Sequence, residues 1–169
     1  MWPAQSTISR VAGRKVLVMF IHPECSCSHA SLEQLALLEN LLGGQLTARV
    51  VLWHSGSSAA SGRWRQRADA VPVVDDRDGR EARIFGAKTS GQTMIYNEYG
   101  RLIYAGGLTV LRGEAGGERA LQDIARVIKE SRNSGVERPV FGCPIYKQPQ
   151  AEHFGGAVSA WTKTWTKLQ

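Results

Sequence analysis

No stretch of this 169-residue chain holds 18 consecutive apolar residues, so no bilayer-spanning helix is expected. The longest clean apolar run, from Val16 to Ile21, is the size of one strand. The first residues lack the apolar centre of a signal peptide. An export signal or membrane tether would therefore have to lie outside this chain. Cysteine is scarce as well: Cys25, Cys27 and Cys143 are all there is. Three thiols cannot staple a disulfide mini-fold, and the odd count leaves at least one free or transiently paired. That points to chemistry rather than scaffolding.

What is present describes one globular domain. Hydrophobic residues make up 43% and charged residues 21%, which excludes collagen, coiled coil and wholesale disorder. Net charge is 21 − 15 = +6, but the cations are scattered. Only Arg63, Arg65 and Arg67 cluster, around Trp64, and such a patch is usually a solvated face, so no nucleic-acid partner is expected. The 18 glycines predict many tight turns.

Along the chain, residues 1–13 read as an irregular lead-in, with the ending of a truncated linker. Residues 15–21, apolar from Val16 onward and rich in β-branched residues, bear the mark of a strand buried on both faces. His22-Pro23 stops it, since proline lacks the N–H that a central strand needs. A helix is predicted over 26–42, with Leu32, Leu35, Ala36 and Leu42 on one stripe and Gly43-Gly44 as its C-terminal cap. Strands follow at 47–53 and 71–75, the latter starting at or lying near a sheet edge because of Pro72. A weak helix at 59–70 lies between them. A short helix at 80–85 precedes a hairpin of strands 93–97 and 101–105, and a last helix spans 118–129. Alternating elements imply parallel strands, with the hairpin adding an antiparallel pair. The expectation is an α/β domain over 14–130: a central mixed sheet with helices on both faces, in three layers. Residues 131–169 read as an irregular C-terminal extension carrying Cys143. Its end places Val158, Trp161, Trp165 and Leu168 on one stripe, a tail that either folds back or docks a partner or membrane surface.

The segment His22-Pro23-Glu24-Cys25-Ser26-Cys27-Ser28-His29 carries the chemistry. It lies between a buried strand and a helix start, where unpaired N–H groups and the helix macrodipole favour thiolate. Cys25, taken as the more exposed and N-terminal of the two, is the expected nucleophile, and Cys27 is the nearest resolving thiol. His22 or His29 would stabilise thiolate or relay protons. The same four side chains, Cys25, Cys27, His22 and His29, could instead hold Cu(I) as soft thiolates with imidazoles. Asp75, Asp76 and Asp78 fit a turn before a helix better than a cation site. Gly106-Gly107 and Gly116-Gly117 lack the setting of a phosphate loop.

This order of strand, cysteine turn, helix, hairpin and last helix resembles the thioredoxin fold. More narrowly, His22-Pro23-x-Cys25-x-Cys27-Ser28-x-Ala30-Ser31-Leu32 resembles the RedB-like branch of bacterial thioredoxin-fold proteins. Further matches are Phe85-Gly86-Ala87, Thr89-Ser90-Gly91-Gln92, Gly106-Gly107-Leu108-Thr109, Arg112-Gly113 and Pro139-Val140-Phe141-Gly142-Cys143-Pro144. The resemblance covers roughly residues 14–145. It implies a redox protein of the bacterial cell envelope, facing the periplasm and usually tethered to the membrane, with protein thiols or disulfides as partners. Two departures stand out. One residue rather than two separates Cys25 from Cys27, so a bridge there would be strained and readily reduced. This favours an oxidant or isomerase, or Cys143 as the true resolving partner. Gly91-Gln92 stands where Ile-Pro would be expected, which puts Gln92 beside the redox pair. The loop after Arg112-Gly113 also lacks a His expected from the branch. A peroxidase would need Thr or Ser three residues before its cysteine, whereas His22 and Glu24 occupy those places. A third reading makes the domain a non-catalytic subunit of a larger envelope complex, docked by its Trp161/Trp165 tail.

Overall fold

The computed structural model describes residues 1–55, 71–131 and 138–146. The expected weak helix at 59–70, the arginine cluster and the Trp161/Trp165 tail lie outside the described residues. Five strands are seen: β1 (Lys15–Ile21), β2 (Leu46–His54), β3 (Val73–Arg77), β4 (Gln92–Tyr96) and β5 (Leu102–Gly106). Among the described residues three helices accompany them: α1 (Cys27–Leu42), α2 (Arg80–Phe85) and α3 (Glu118–Glu130). The sheet order is β3-β2-β1-β4-β5. β1 runs parallel to β2, and β2 to β3. β4 is antiparallel to both β1 and β5.

The apolar run of β1 from Val16 to Ile21 has its explanation here. It is the central strand, and every one of its residues is buried. Leu17, Met19 and Ile21 face a core shared with Leu35, Leu38 and Leu42 of α1 and Leu121, Ile124 and Ile128 of α3. Val16, Val18 and Phe20 face the other core, with Ala82 and Phe85 of α2 and Tyr96. Helices therefore cover both faces, as the period-2 side-chain alternation of a central strand requires.

The edges of the elements carry small differences from expectation. β3 starts at Val73 on the sheet edge, two residues late, because Pro72 leads in and only its carbonyl pairs, accepting the Val50 N–H at 3.1 Å. The hairpin strands shift by one residue because Asn97 belongs to the turn. Its Oδ1 accepts the N–H groups of Tyr99 and Arg101, both at 3.0 Å. Asp76 serves the turn before α2, accepting the N–H groups of Glu81 at 2.8 Å and Ala82 at 2.9 Å. The irregular lead-in is docked rather than trailing. Trp2 packs edge-on against Phe85 and Tyr96, and Glu81 accepts hydrogen bonds from the hydroxyls of Ser6 and Thr7. Among the described residues no helix is long and apolar enough to cross a membrane.

Candidate functional site: two sulfurs under a backbone strap

β1 delivers the chain to the C-terminal end of the parallel pair, and Pro23 breaks it away from the sheet. The turn closes with the Cys25 N–H on the His22 carbonyl at 3.1 Å and the Ser28 N–H on the Cys25 carbonyl at 3.0 Å. α1 begins at Cys27, with Ser26 at its N-cap, one residue later than the sequence suggests. Cys25 thus sits just outside the helix N-terminus, where free N–H groups and the positive dipole end converge.

Cys25 is not the more exposed of the two neighbouring cysteines. Its residue exposure is 1% and that of Cys27 is 4%, so the accessibility expected of Cys25 is absent. The exposed thiol is Cys143. The reason lies 118 residues downstream, in a backbone strap that sequence periodicity does not reveal. The Cys143 N–H donates to Cys25 Sγ at 3.3 Å. The strap is held like a strand: Ser90 N–H to the Cys143 carbonyl at 2.8 Å, and Ile145 N–H to the Lys88 carbonyl at 2.9 Å. Thr89 and Pro144 form the antiparallel bridge between them. Ile145, 1% exposed, plugs into the core that holds Phe20 and Phe85. Each such hydrogen bond contributes about 0.5–1.5 kcal/mol net, and a buried Ile adds about 1.5–3 kcal/mol.

The glycines first read as turn-formers clear a path for this strap. A Cβ on Gly107 would sit 2.6 Å from the Pro139 carbonyl oxygen, and one on Gly142 would collide with the Ser90 carbonyl. The motif fragments around Gly106-Gly107, Ser90-Gly91 and Pro139–Pro144 are therefore one packed unit.

Burial alone would push the Cys25 thiol up from its ordinary 9.0, yet its pKa is lowered. Hydrogen bonds from the Cys143 backbone and thiol, the Cys27 backbone N–H and the Ser28 hydroxyl outweigh desolvation. Cys143 moves the other way. Its thiol is raised first by donating to Cys25, then by partial desolvation and by the Cys25 and Cys27 charges, with Arg112 opposing. Where the pair shares one proton, the thiolate is therefore favoured on Cys25 and the thiol on Cys143.

Beneath lies a buried polar set that sequence reasoning missed. Ser28 and Ser90 are both fully buried, and their hydroxyls meet at 2.8 Å. Ser90 Oγ accepts the His22 N–H at 2.8 Å, and the single Ser28 proton is shared between the His22 carbonyl, 3.1 Å from its Oγ, and Cys25 Sγ. These bonds lock the end of β1, the start of α1 and the loop before β4 together. The signal was two small polar residues at positions where apolar ones would fill a core.

The other expected site residues scatter. The His22 ring stacks on Trp53 at 4.6 Å, and its Nδ1 accepts the Glu24 N–H at 3.1 Å. Burial lowers its pKa below 6.5, with Glu24 partly opposing, which favours the neutral ring. His29 lies on a groove along α1 lined by Leu32, Glu33 and Ala36. Gln92 turns its carboxamide oxygen to the Lys88 N–H at 2.9 Å, closing the loop before β4. Cys27 is the first residue of α1, and its carbonyl accepts the Ser31 hydroxyl at 3.3 Å. Among the described residues no three His, Cys, Asp or Glu side chains are grouped to hold a metal ion. The copper set of Cys25, Cys27, His22 and His29 is therefore not brought together. A His22 ring stacked flat on Trp53 is the physical reason on one side.

No family model matches the chain, and no curated protein matches it. Solved structures do. An uncharacterized conserved protein of Geobacillus kaustophilus superposes with a TM-score of 0.68 at 17% identity, over 83% of this chain and 80% of that one. A secreted Mycobacterium tuberculosis disulfide oxidoreductase, homologous to E. coli DsbE, gives 0.54 at 12% identity, over 70% and 83%. The thioredoxin domain of a Bacteroides vulgatus thiol-disulfide oxidoreductase gives 0.53 at 14% identity, over 69% and 80%. At these identities the likeness speaks for the backbone, and the chain has a thioredoxin-like α/β fold.

Proposed function

We propose that this protein exchanges disulfides with the thiols of other proteins, using Cys25 and Cys143 as its redox pair. The observation that carries the reading is the Cys143 N–H resting on Cys25 Sγ at 3.3 Å. A backbone donor there holds the two residues together and stabilises the thiolate that every exchange step needs. Two structural neighbours, a disulfide oxidoreductase and a thiol-disulfide oxidoreductase domain, point the same way.

In the oxidising direction the Cys25–Cys143 disulfide accepts two electrons from a partner dithiol. The partner leaves as a disulfide, and this protein is left with a Cys25 thiolate and a Cys143 thiol, one proton passing to solvent. Because hydrogen bonds stabilise the reduced pair, the oxidised form is the better oxidant. Cys27 contributes its N–H to the Cys25 sulfur rather than a resolving thiol. A persistent disulfide suits an oxidising compartment, and the bacterial cell envelope, facing the periplasm, is the expected location.

The test is oxidation of a reduced dithiol peptide by the oxidised full chain, with non-reducing peptide mapping beside it. Activity and a Cys25–Cys143 linkage are expected in the wild type. Activity should disappear in Cys25→Ser and Cys143→Ser and survive in Cys27→Ser. Activity that survives Cys143→Ser, with a Cys25–Cys27 linkage, overturns the pairing.

A further inference from the structure

We propose that partner polypeptides bond to this protein at Cys143 alone, and that Cys25 exchanges only with Cys143, beneath the strap. This rests on the redox pair proposed above and specifies which sulfur the partner meets. The geometry sets the order. Cys25 is 1% exposed and the backbone of residue 143 lies across its sulfur, whereas Cys143 is open to solvent. Ser90 N–H, Lys88 carbonyl and buried Ile145 hold that backbone down at and just after residue 143, and Gly142 lies close against the Ser90 carbonyl just before it. A partner chain approaching Cys25 would have to break these contacts first. One approaching Cys143 breaks none.

The steps balance. A partner thiolate attacks Cys143 Sγ of the Cys25–Cys143 disulfide. A partner–Cys143 disulfide forms, and Cys25 departs as a thiolate stabilised by the Cys143 and Cys27 N–H groups and the Ser28 hydroxyl. The partner's second thiol loses its proton to solvent and attacks the partner sulfur of that mixed disulfide. The partner's own disulfide forms, and Cys143 is released and takes up a proton. Two electrons have moved from partner to protein. Attack on the exposed sulfur with departure of the more acidic thiol is the favoured direction of such exchange. A disulfide of another protein, reacting through the reverse sequence at Cys143, restores the oxidised pair.

The order of reactivity therefore inverts the order of acidity, which a free thiol pair could not do. The experiment uses reduced full-length single variants and a short peptide whose cysteine carries a thionitrobenzoate disulfide. Attack on the peptide sulfur releases the coloured leaving group, and mass mapping locates the adduct. Cys25→Ser should take up the peptide at Cys143. Cys143→Ser should react at least about tenfold more slowly in the native state, despite keeping the thiolate-stabilising N–H groups. Its reaction should recover in denaturant, which shows that the buried thiols are intact. Adding Gly142→Ala to Cys143→Ser should restore native reaction by loosening the strap. Equal or faster native reaction of Cys143→Ser, with the peptide on Cys25 or Cys27, overturns the inference. If the wild type still maps to a Cys25–Cys143 linkage, the redox pair survives that result. If that linkage never forms, the pair itself fails.

Discussion

Gly142 lies against the carbonyl of Ser90 so closely that a Cβ would overlap its oxygen. The same Ser90 gives its N–H to the Cys143 carbonyl and its hydroxyl to the His22–Ser28 set. One residue thereby ties the strap above the thiols to the polar floor below them. Gly142→Ala must push the strap outward, at a cost of about 1–3 kcal/mol for the overpacking. Denaturant unfolding should show that loss. Alkylation mapped to Cys25 in the reduced native protein should accelerate several-fold. An unchanged Cys25 rate would mean that something other than the strap covers the sulfur.

Asp76 organises the start of α2, in the layer into which Ile145 of the strap packs. It is 2% exposed, and both its oxygens are taken by the first N–H groups of α2. Those are orphan donors that a six-residue helix can satisfy in few other ways. Glu81, one residue into that helix, in turn holds Ser6 and Thr7 of the lead-in. Asp76→Ala should destabilise the fold by about 2 kcal/mol, at the upper end for a lost helix cap. Hydrogen exchange should rise at residues 6–8 as well as in α2. Protection unchanged at Thr7 and Ile8 would mean that the lead-in docks independently of α2.

The elements were legible wherever burial has a period. The six apolar residues of β1 after Lys15 and the i, i+3, i+4 stripe of α3 each announce a face, whereas on α1 the buried leucines are Leu35, Leu38 and Leu42, with Ala36 of the expected stripe exposed. The cysteine turn was legible too, because Pro23 must end a central strand. The strap was not. It is made of main-chain hydrogen bonds between residues 88–90 and 143–145, and main-chain bonds leave no side-chain pattern. Its traces were glycines at close approaches, which resemble turn glycines in sequence. Cys25 was misjudged for the same reason, since its cover arrives from 118 residues away. Gln92 occupies the place that a resemblance marks as active, but its carboxamide is spent on a local loop closure.

His22 carries a pH dependence of its own. Burial holds its pKa below 6.5, with Glu24 pulling the other way. Between that lowered value and 6.5 the unfolded chain binds more proton than the folded one, so stability rises with pH across the window. Acidification from 6.5 downward should therefore weaken the fold through this ring. His22→Phe can keep a stack on Trp53 and has no proton to take up. Its stability curve should be flatter than the wild type's below pH 6.5. Parallel curves would show that the ring reaches solvent freely when protonated.

The thiolate itself is the last measurable consequence. Desolvation works against it, and hydrogen bonds from Cys143, Cys27 and Ser28 more than compensate, so Cys25 deprotonates below the ordinary 9.0. A depressed acid of this kind adds stability that is complete above its unfolded value and is lost as pH falls through its folded one. Cys143, raised in the same pair, adds the opposite slope above 9.0. Ultraviolet titration of the reduced protein should show a thiolate step below 9.0 that Cys25→Ser removes. Ser28→Ala takes away one of those donors and frees the Ser90 hydroxyl, so the step should move up toward 9.0 without disappearing. Rate constants for alkylating Cys25 should shift to higher pH in parallel. A step that stays in place in Ser28→Ala would assign the stabilisation to the two backbone N–H groups and the Cys143 thiol, leaving the serine hydroxyls to hold the turn.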